Sequence, residues 1–201
     1  MIISERIQCY GFPCNGIDKN RYIVPSSEID VEKIKVVMIT EAPPNNKSEY
    51  FYADGNPFYL QTTLQAFSEA GANPASMQDI LNLGVYVTTA IKCAKTQYAI
   101  SPTTMKHCSR LLEEEIALFP EIRGIMLMGD VAIKMMNYIW KKHTGRRVIP
   151  TGSTYKIRGQ THYLGTVRVF PSYTPAGKNF LIEKSKRMMV AADIREALKL
   201  L

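Results

Sequence analysis

A chain of 201 residues, 46% apolar and 21% charged, can bury one continuous core unaided, which excludes wholesale disorder and predicts a single domain over residues 1–201. The start, MIISERIQCYG, lacks the basic and then apolar stretch of a secretory leader, and no run reaches the roughly 18 apolar residues of a membrane span, so a cytoplasmic monomer with no membrane contact is expected. The net charge of +7 is segregated: residues 131–201 hold 14 Lys and Arg against three acids, whereas residues 1–130 hold 11 basic and 15 acidic residues. A basic half suits a phosphate backbone, from which Lys and Arg displace condensed counterions; a surface of solubilising lysines is the competing account.

The first predicted element is a buried strand, Val36–Thr40, β-branched or apolar throughout and stopped by Pro43-Pro44. After a polar loop, residues 60–71 have helical spacing, with Leu60, Leu64 and Phe67 on one face and Gly71 as the stop. A short helix follows, capped by Ser76 and carrying Asp79 in its first turn. Residues 85–91 form the second main strand, and a loop bearing Cys93 leads past Pro102 into a helix that holds Cys108 and ends at Leu118. The third strand is Gly124–Met128, and Asp130 is expected to cap a helix running to about His143. The basic, turn-rich stretch GRRVIPTGSTYKIRG precedes a fourth strand at 167–173, and an amphipathic helix fills the last 18 residues. Strands alternating with helices predict an α/β fold with a mainly parallel, four-stranded central sheet sandwiched by helices. In such a sheet the ligand crevice lies beyond the carboxyl ends of the strands, which gathers Glu41, Thr88, Thr89, Gly129 and the segment PSYTPAGKNF at one edge.

The four cysteines fall as Cys9-x4-Cys14 and Cys93-x14-Cys108. A reducing cytosol would not keep them as disulfides, whereas thiolates gathered in fours suit zinc or an iron-sulfur cluster. The turn formers in Cys9-Tyr-Gly-Phe-Pro-Cys14 favour a chelating loop over four unrelated buried thiols. Spacing alone does not choose the metal.

Four strand ends match one family in order. Thr40-Glu41-Ala42-Pro43-Pro44 resembles a Gly-Glu-Ala-Pro-Gly motif, and Gly55-Asn56-Pro57-Phe58 is similar to Gly-Arg-Pro-Phe. Thr89-Ala90-Ile91-Lys92-Cys93 resembles Asn-Val-Val-Lys-Cys, and Tyr173-Thr174-Pro175-Ala176 resembles Tyr-His-Pro-Ala. The sequence thus resembles the uracil-DNA glycosylase superfamily, especially its iron-sulfur (family 4) branch. The resemblance implies a three-layer α/β/α sandwich and a structural [4Fe-4S] cluster on Cys9, Cys14, Cys93 and Cys108, with zinc as the alternative. The branch has two residues between its first cysteines; this chain has four.

By that resemblance the substrate is DNA, and a flipped base is held by Phe58, Thr89 and Ala42. Glu41 by motif, and Glu49 by proximity, are the carboxylates placed to stabilise a sugar with oxocarbenium character and to orient water. Thr174 stands where the family has a histidine beside the leaving oxygen, and Thr89 where it has an asparagine reading the base edge. Both substitutions weaken the case for uracil, because a neutral hydroxyl can neither carry charge nor offer an amide fork. Lys178, Phe180, Arg146 and Arg147 are the expected DNA contacts, with Phe180 or Leu181 as a wedge. Two accounts follow: a glycosylase acting on a deaminated or damaged base, or a nucleic-acid-binding protein whose pocket has decayed or been reassigned.

Overall fold

The computed structural model describes residues 1–11 and 13–201, and only the backbone of Asn179 and Ile182; Phe12, inside the first cysteine loop, lies outside the described residues. In chain order the elements begin with α1 (Ile3–Arg6), β1 (Ile17–Tyr22) and β2 (Val36–Thr40). Next come α2 (Phe58–Glu69), α3 (Met77–Asn82), β3 (Val85–Thr89), β4 (Cys93–Lys95) and α4 (Pro102–Ile116). The second half supplies β5 (Gly124–Met128), α5 (Asp130–Thr144), α6 (Thr154–Ile157), β6 (His162–Leu164), β7 (Val167–Ser172), α7 (Lys178–Ile182) and α8 (Lys184–Leu198).

The central sheet has the order β3-β2-β5-β7-β6. Its first four strands are parallel and in the predicted places, and every residue of β2, β3 and β5 is buried. That is the burial of a parallel sheet covered on both faces. Helices flank it: α4 packs on α5, which also touches β2 and β5, while α2 packs on α8, which touches β7. No described helix is long and apolar enough to cross a membrane.

The sheet exceeds the expected four strands by one. The antiparallel edge strand β6 pairs with β7 across the turn at Gly165-Thr166, and at three residues it is too short to leave a period-2 signature. A separate two-stranded ribbon, β1 with β4, is equally invisible in a polar sequence such as IDKNRY. The Ser76 cap is present, with Asp79 N–H donating to its hydroxyl at 3.1 Å. Asp130 is not a cap. Gly129, at φ +114°, takes the N-cap position, and Asp130 begins the helix with an ion pair to Lys134.

One polar network lies wholly inside. Lys92 and Glu115, 1% and 0% exposed, form an ion pair between the segment after β3 and the face of α4 turned to the core. Glu115 also accepts from Tyr86 at 2.7 Å and Thr88 at 2.9 Å, and the Lys92 ammonium donates to the Thr88 hydroxyl at 2.9 Å and the Thr89 carbonyl at 2.5 Å. With both ions satisfied, removing one strands the other. Lys92→Met should therefore lower stability by about 3–5 kcal/mol, read as a shifted urea midpoint at constant slope. Adding Glu115→Gln, which removes the stranded charge but keeps an acceptor for Tyr86 and Thr88, should recover much of the loss. A wild-type midpoint for Lys92→Met would contradict the network's role.

Candidate active site

The register of the sheet fixes what meets at its carboxyl edge. Thr40 lies beside Thr89, Ile39 beside Leu127 and Met128 beside Ser172, so Glu41, Ala90, Gly129 and Tyr173 each begin a loop at the same level. The ladder continues past the strands: Ala90 N–H donates to Thr40 O at 2.8 Å, Ile91 N–H to Glu41 O at 3.0 Å, and Gly129 N–H to Ser172 O at 2.9 Å. These bonds hold the Glu41 backbone to the loop after β3.

The Glu41 carboxylate, about a third exposed, is met by the Lys95 ammonium at 2.6 Å. Lys95 closes β4, a strand that sequence patterning missed. Glu49 has a different task from the catalytic one expected. Its Oε2 accepts from Phe58 N–H at 2.9 Å at the start of α2, where the N-cap residue Pro57 offers no side-chain acceptor. Phe58 is half-buried, held at this helix start. Its neighbour Tyr59, which the sequence reading passed over, joins the pieces. Burial, and then the charges of Glu41 and Glu49, push its hydroxyl above the ordinary tyrosine range.

Gly177 completes the contact between α2 and the loop after β7. A Cβ built on it would lie 3.3 Å from the Tyr59 ring, and its φ of +85° suits glycine. Its N–H donates to the Thr62 hydroxyl at 3.1 Å. Thr174, half-buried in the same loop, accepts from Ala176 N–H at 3.4 Å. Tyr59 thus lies near Glu41, Glu49 and the 173–177 loop, with Phe58 beside it at the start of α2. Ala42 is buried at the foot of the loop after β2, and Thr89, beside Thr40, is wholly buried with a hydroxyl that has no hydrogen-bond partner among the described residues.

The expected DNA contacts divide. Lys178 is exposed at the start of α7. Phe180 is only 3% exposed with the Arg187 guanidinium 5.6 Å from its ring centre, so it anchors the loop and cannot serve as a wedge; Leu181 beside it stands 43% exposed. Arg146 and Arg147 follow the far end of α5, about 20 Å along the helix from the cleft edge. Arg158, read as basic surface, instead forms a bidentate pair with Asp193.

The four thiols come together beside the cleft. Cys9, Cys14, Cys93 and Cys108 line a single recess with Lys19, Tyr22, Lys92 and Thr104, and none forms a disulfide. Thr104 clamps the first loop, accepting from Asn15 N–H and donating to Asn15 O at 2.9 Å each, while Lys92 N–H donates to Cys108 Sγ at 3.3 Å. Burial, and then its three fellow cysteines, push the Cys93 thiol up to about 12. Burial likewise takes Cys108 to about 11 against the opposing pull of Lys92, and burial followed by Cys9 raises Cys14. Among the described residues, no group of three or more His, Cys, Asp or Glu side chains is arranged to hold a metal ion.

Comparison with known proteins bears on the family of the chain. A Type-5 uracil-DNA glycosylase of Thermus thermophilus is 27% identical over 138 residues, covering 67% of this chain and 62% of that relative. The chain therefore spans less than two thirds of the relative's length. The comparison speaks for the superfamily and not for the iron-sulfur (family 4) branch that the motifs resemble. The model of the uracil DNA glycosylase superfamily matches residues 27–198, from before β2 to the end of α8, and the chain belongs to that superfamily.

Proposed function

We propose that the chain is a DNA glycosylase that flips a uracil or another deaminated base out of DNA and hydrolyses its N-glycosidic bond. The observation that supports this reading is that, in a superfamily member, Tyr59 lies near Glu41, Glu49 and Gly177 at the carboxyl edge of the sheet, with Phe58 held beside it by Glu49. Phe58, held through its N–H by Glu49, offers the face on which an extruded base stacks. Glu49 is thus a positioning residue. Thr89, wholly buried beside Thr40, is closed to a base edge in this structure, so base reading by its hydroxyl would require the end of β3 to open. As the base departs as an anion, the sugar gains oxocarbenium character, and the Glu41 carboxylate stabilises that charge and orients water. Lys95 fixes the Glu41 side chain. Thr174 offers the leaving oxygen one neutral hydrogen bond, weaker than a charged donor would. Lys178 contacts phosphate at the mouth, with Leu181 as the apolar tip.

The thiol recess has the donor chemistry of a soft-metal group, with four sulfurs, apolar surroundings, and Lys19 and Lys92 to offset thiolate charge. The thiols as they stand are not arranged to hold an ion and would have to draw together around it. We assign Cys9, Cys14, Cys93 and Cys108 to a [4Fe-4S] cluster, which would place the chain in an iron-sulfur branch; zinc is the alternative. When bound, the group supplies a covalent tie between the first loop, β4 and α4. A second reading, a nucleic-acid binder without catalysis, is favoured by the uncharged Thr174.

Incubation with oligonucleotides carrying single uracil, hypoxanthine or xanthine residues, followed by alkali, should reveal abasic sites for at least one lesion. Glu41→Gln should slow the single-turnover rate by about 100-fold or more. DNA binding with no abasic product on any lesion would replace this reading with the second. The metal is read separately: a brown protein with broad visible absorption marks iron-sulfur, a colourless one zinc, and Cys93→Ala should lose the metal in either case. Because burial holds the Cys14, Cys93 and Cys108 thiols protonated, ligation must release protons, so uptake by metal-free protein should strengthen as pH rises from about 6 to 9. Uptake that does not vary across this range would contradict the assignment.

A further inference from the structure

A groove between α5 and residues 147–157 belongs to neither the cleft nor the thiol recess. Its cavity of about 410 Å³ is of ligand-binding size. Asp130, Lys134, Tyr138 and Lys141 recur along its α5 wall at helical spacing, a run of about 16 Å, and Arg147 faces them. Charge is sorted between the two sides of this helix. Lys142 and His143 turn to Glu113 on α4, whereas Lys141 and Arg147 have no carboxylate partner among the described residues. The one acid lining the groove, Asp130, is paired with Lys134. Tyr138, 42% exposed, shares the lining with the apolar Ile133 and Ile157.

The groove also has a fixed relation to the cleft. Asp130 follows Gly129, whose N–H is bonded to Ser172 O, two residues before Thr174. One end therefore opens at the sheet edge where the base would be held, and the other reaches Arg147. Building on the DNA substrate proposed above, we propose that this groove is a second nucleic-acid contact, holding the single-stranded DNA flank that leads away from the cleft. Lys141 and Arg147 meet phosphates, and one unstacked base lies on Tyr138. A single strand fits where a duplex does not, because an aromatic side chain in a recess can stack only on a base whose face is free.

The test is fluorescence anisotropy on intact single-stranded oligonucleotides that share one central uracil and differ in flank length, from a minimal flank to about eight nucleotides. The wild-type protein should bind the long strand at least about ten-fold more tightly than the short one, and Tyr138→Ala/Lys141→Ala should lose most of that gain. Its salt slope on the long strand should fall by about 0.7, one phosphate contact. Lys33→Ala/Lys199→Ala, which removes two charges at the opposite sheet edge, should keep the gain. The proposal is overturned if flank length brings no gain, if the gain survives in Tyr138→Ala/Lys141→Ala, or if it appears only when the flank is duplex. Failure of excision on every lesion would sink the glycosylase reading alone, since this experiment reads binding to an uncut strand.

Discussion

The Lys92–Glu115 ion pair is the interaction around which both sites are built. Taking each ion from water costs several kcal/mol, so the pair persists only because every neighbouring group is a partner. Those partners are the parts that must be held. The Lys92 ammonium fixes the Thr89 carbonyl at the end of β3, and its backbone N–H reaches Cys108 on α4. Glu115 ties α4 to Tyr86 and Thr88. A leucine and methionine in their place could fill the volume but could not specify where β3 ends or how α4 is rotated. Here the buried charges supply position more than net stability.

From that anchor the chain goes straight into β4, only three residues long. Its first residue, Cys93, lines the thiol recess, and its last, Lys95, is paired with Glu41. Two residues of extended chain span about 6.6 Å, so the thiol recess and the cleft are joined by a short, stiff link. A group bound by the four thiols would hold β4 and, through Lys95, the direction of the Glu41 carboxylate. The link is mechanical and would act whether or not such a group took part in any chemistry. The α2 side is fixed independently, by Glu49 on the Phe58 N–H and by Gly177 against the Tyr59 ring.

What the sequence disclosed follows burial. β2 and β5 have the predicted bounds because strands buried on both faces are written as unbroken apolar runs. β1, β4 and β6 are short or polar, and each exists because a partner strand supplies its hydrogen bonds, which is tertiary information. Glu115 lay hidden in a run of three glutamates, although it continues the apolar stripe of Cys108, Leu111 and Leu112; a charge on such a stripe signals a buried partner. Lys92, inside the apolar TTAIKC, was the matching signal. Motif order singled out Glu41 and Phe58, but contacts are not written in motifs. Glu49 became a helix cap and Phe180 an anchor because of neighbours distant in sequence.

The basic half of the chain shows why counting charge is a weak guide to a nucleic-acid surface. Arg158 is committed to Asp193, which burial raises against the opposing pull of Arg158 and Ser172. Arg187 pairs with Glu69, and Arg195 donates to the carbonyls of Glu69 and Ala70 at the end of α2. These arginines fasten α8 to the body of the fold, and the planar guanidinium, with five donors, is better made for that than lysine. Subtracting them leaves a smaller set, which includes Lys178 at the start of α7 and Lys141 with Arg147 along the groove. A field that acts on a phosphate backbone comes from cations that the fold itself has not already neutralised.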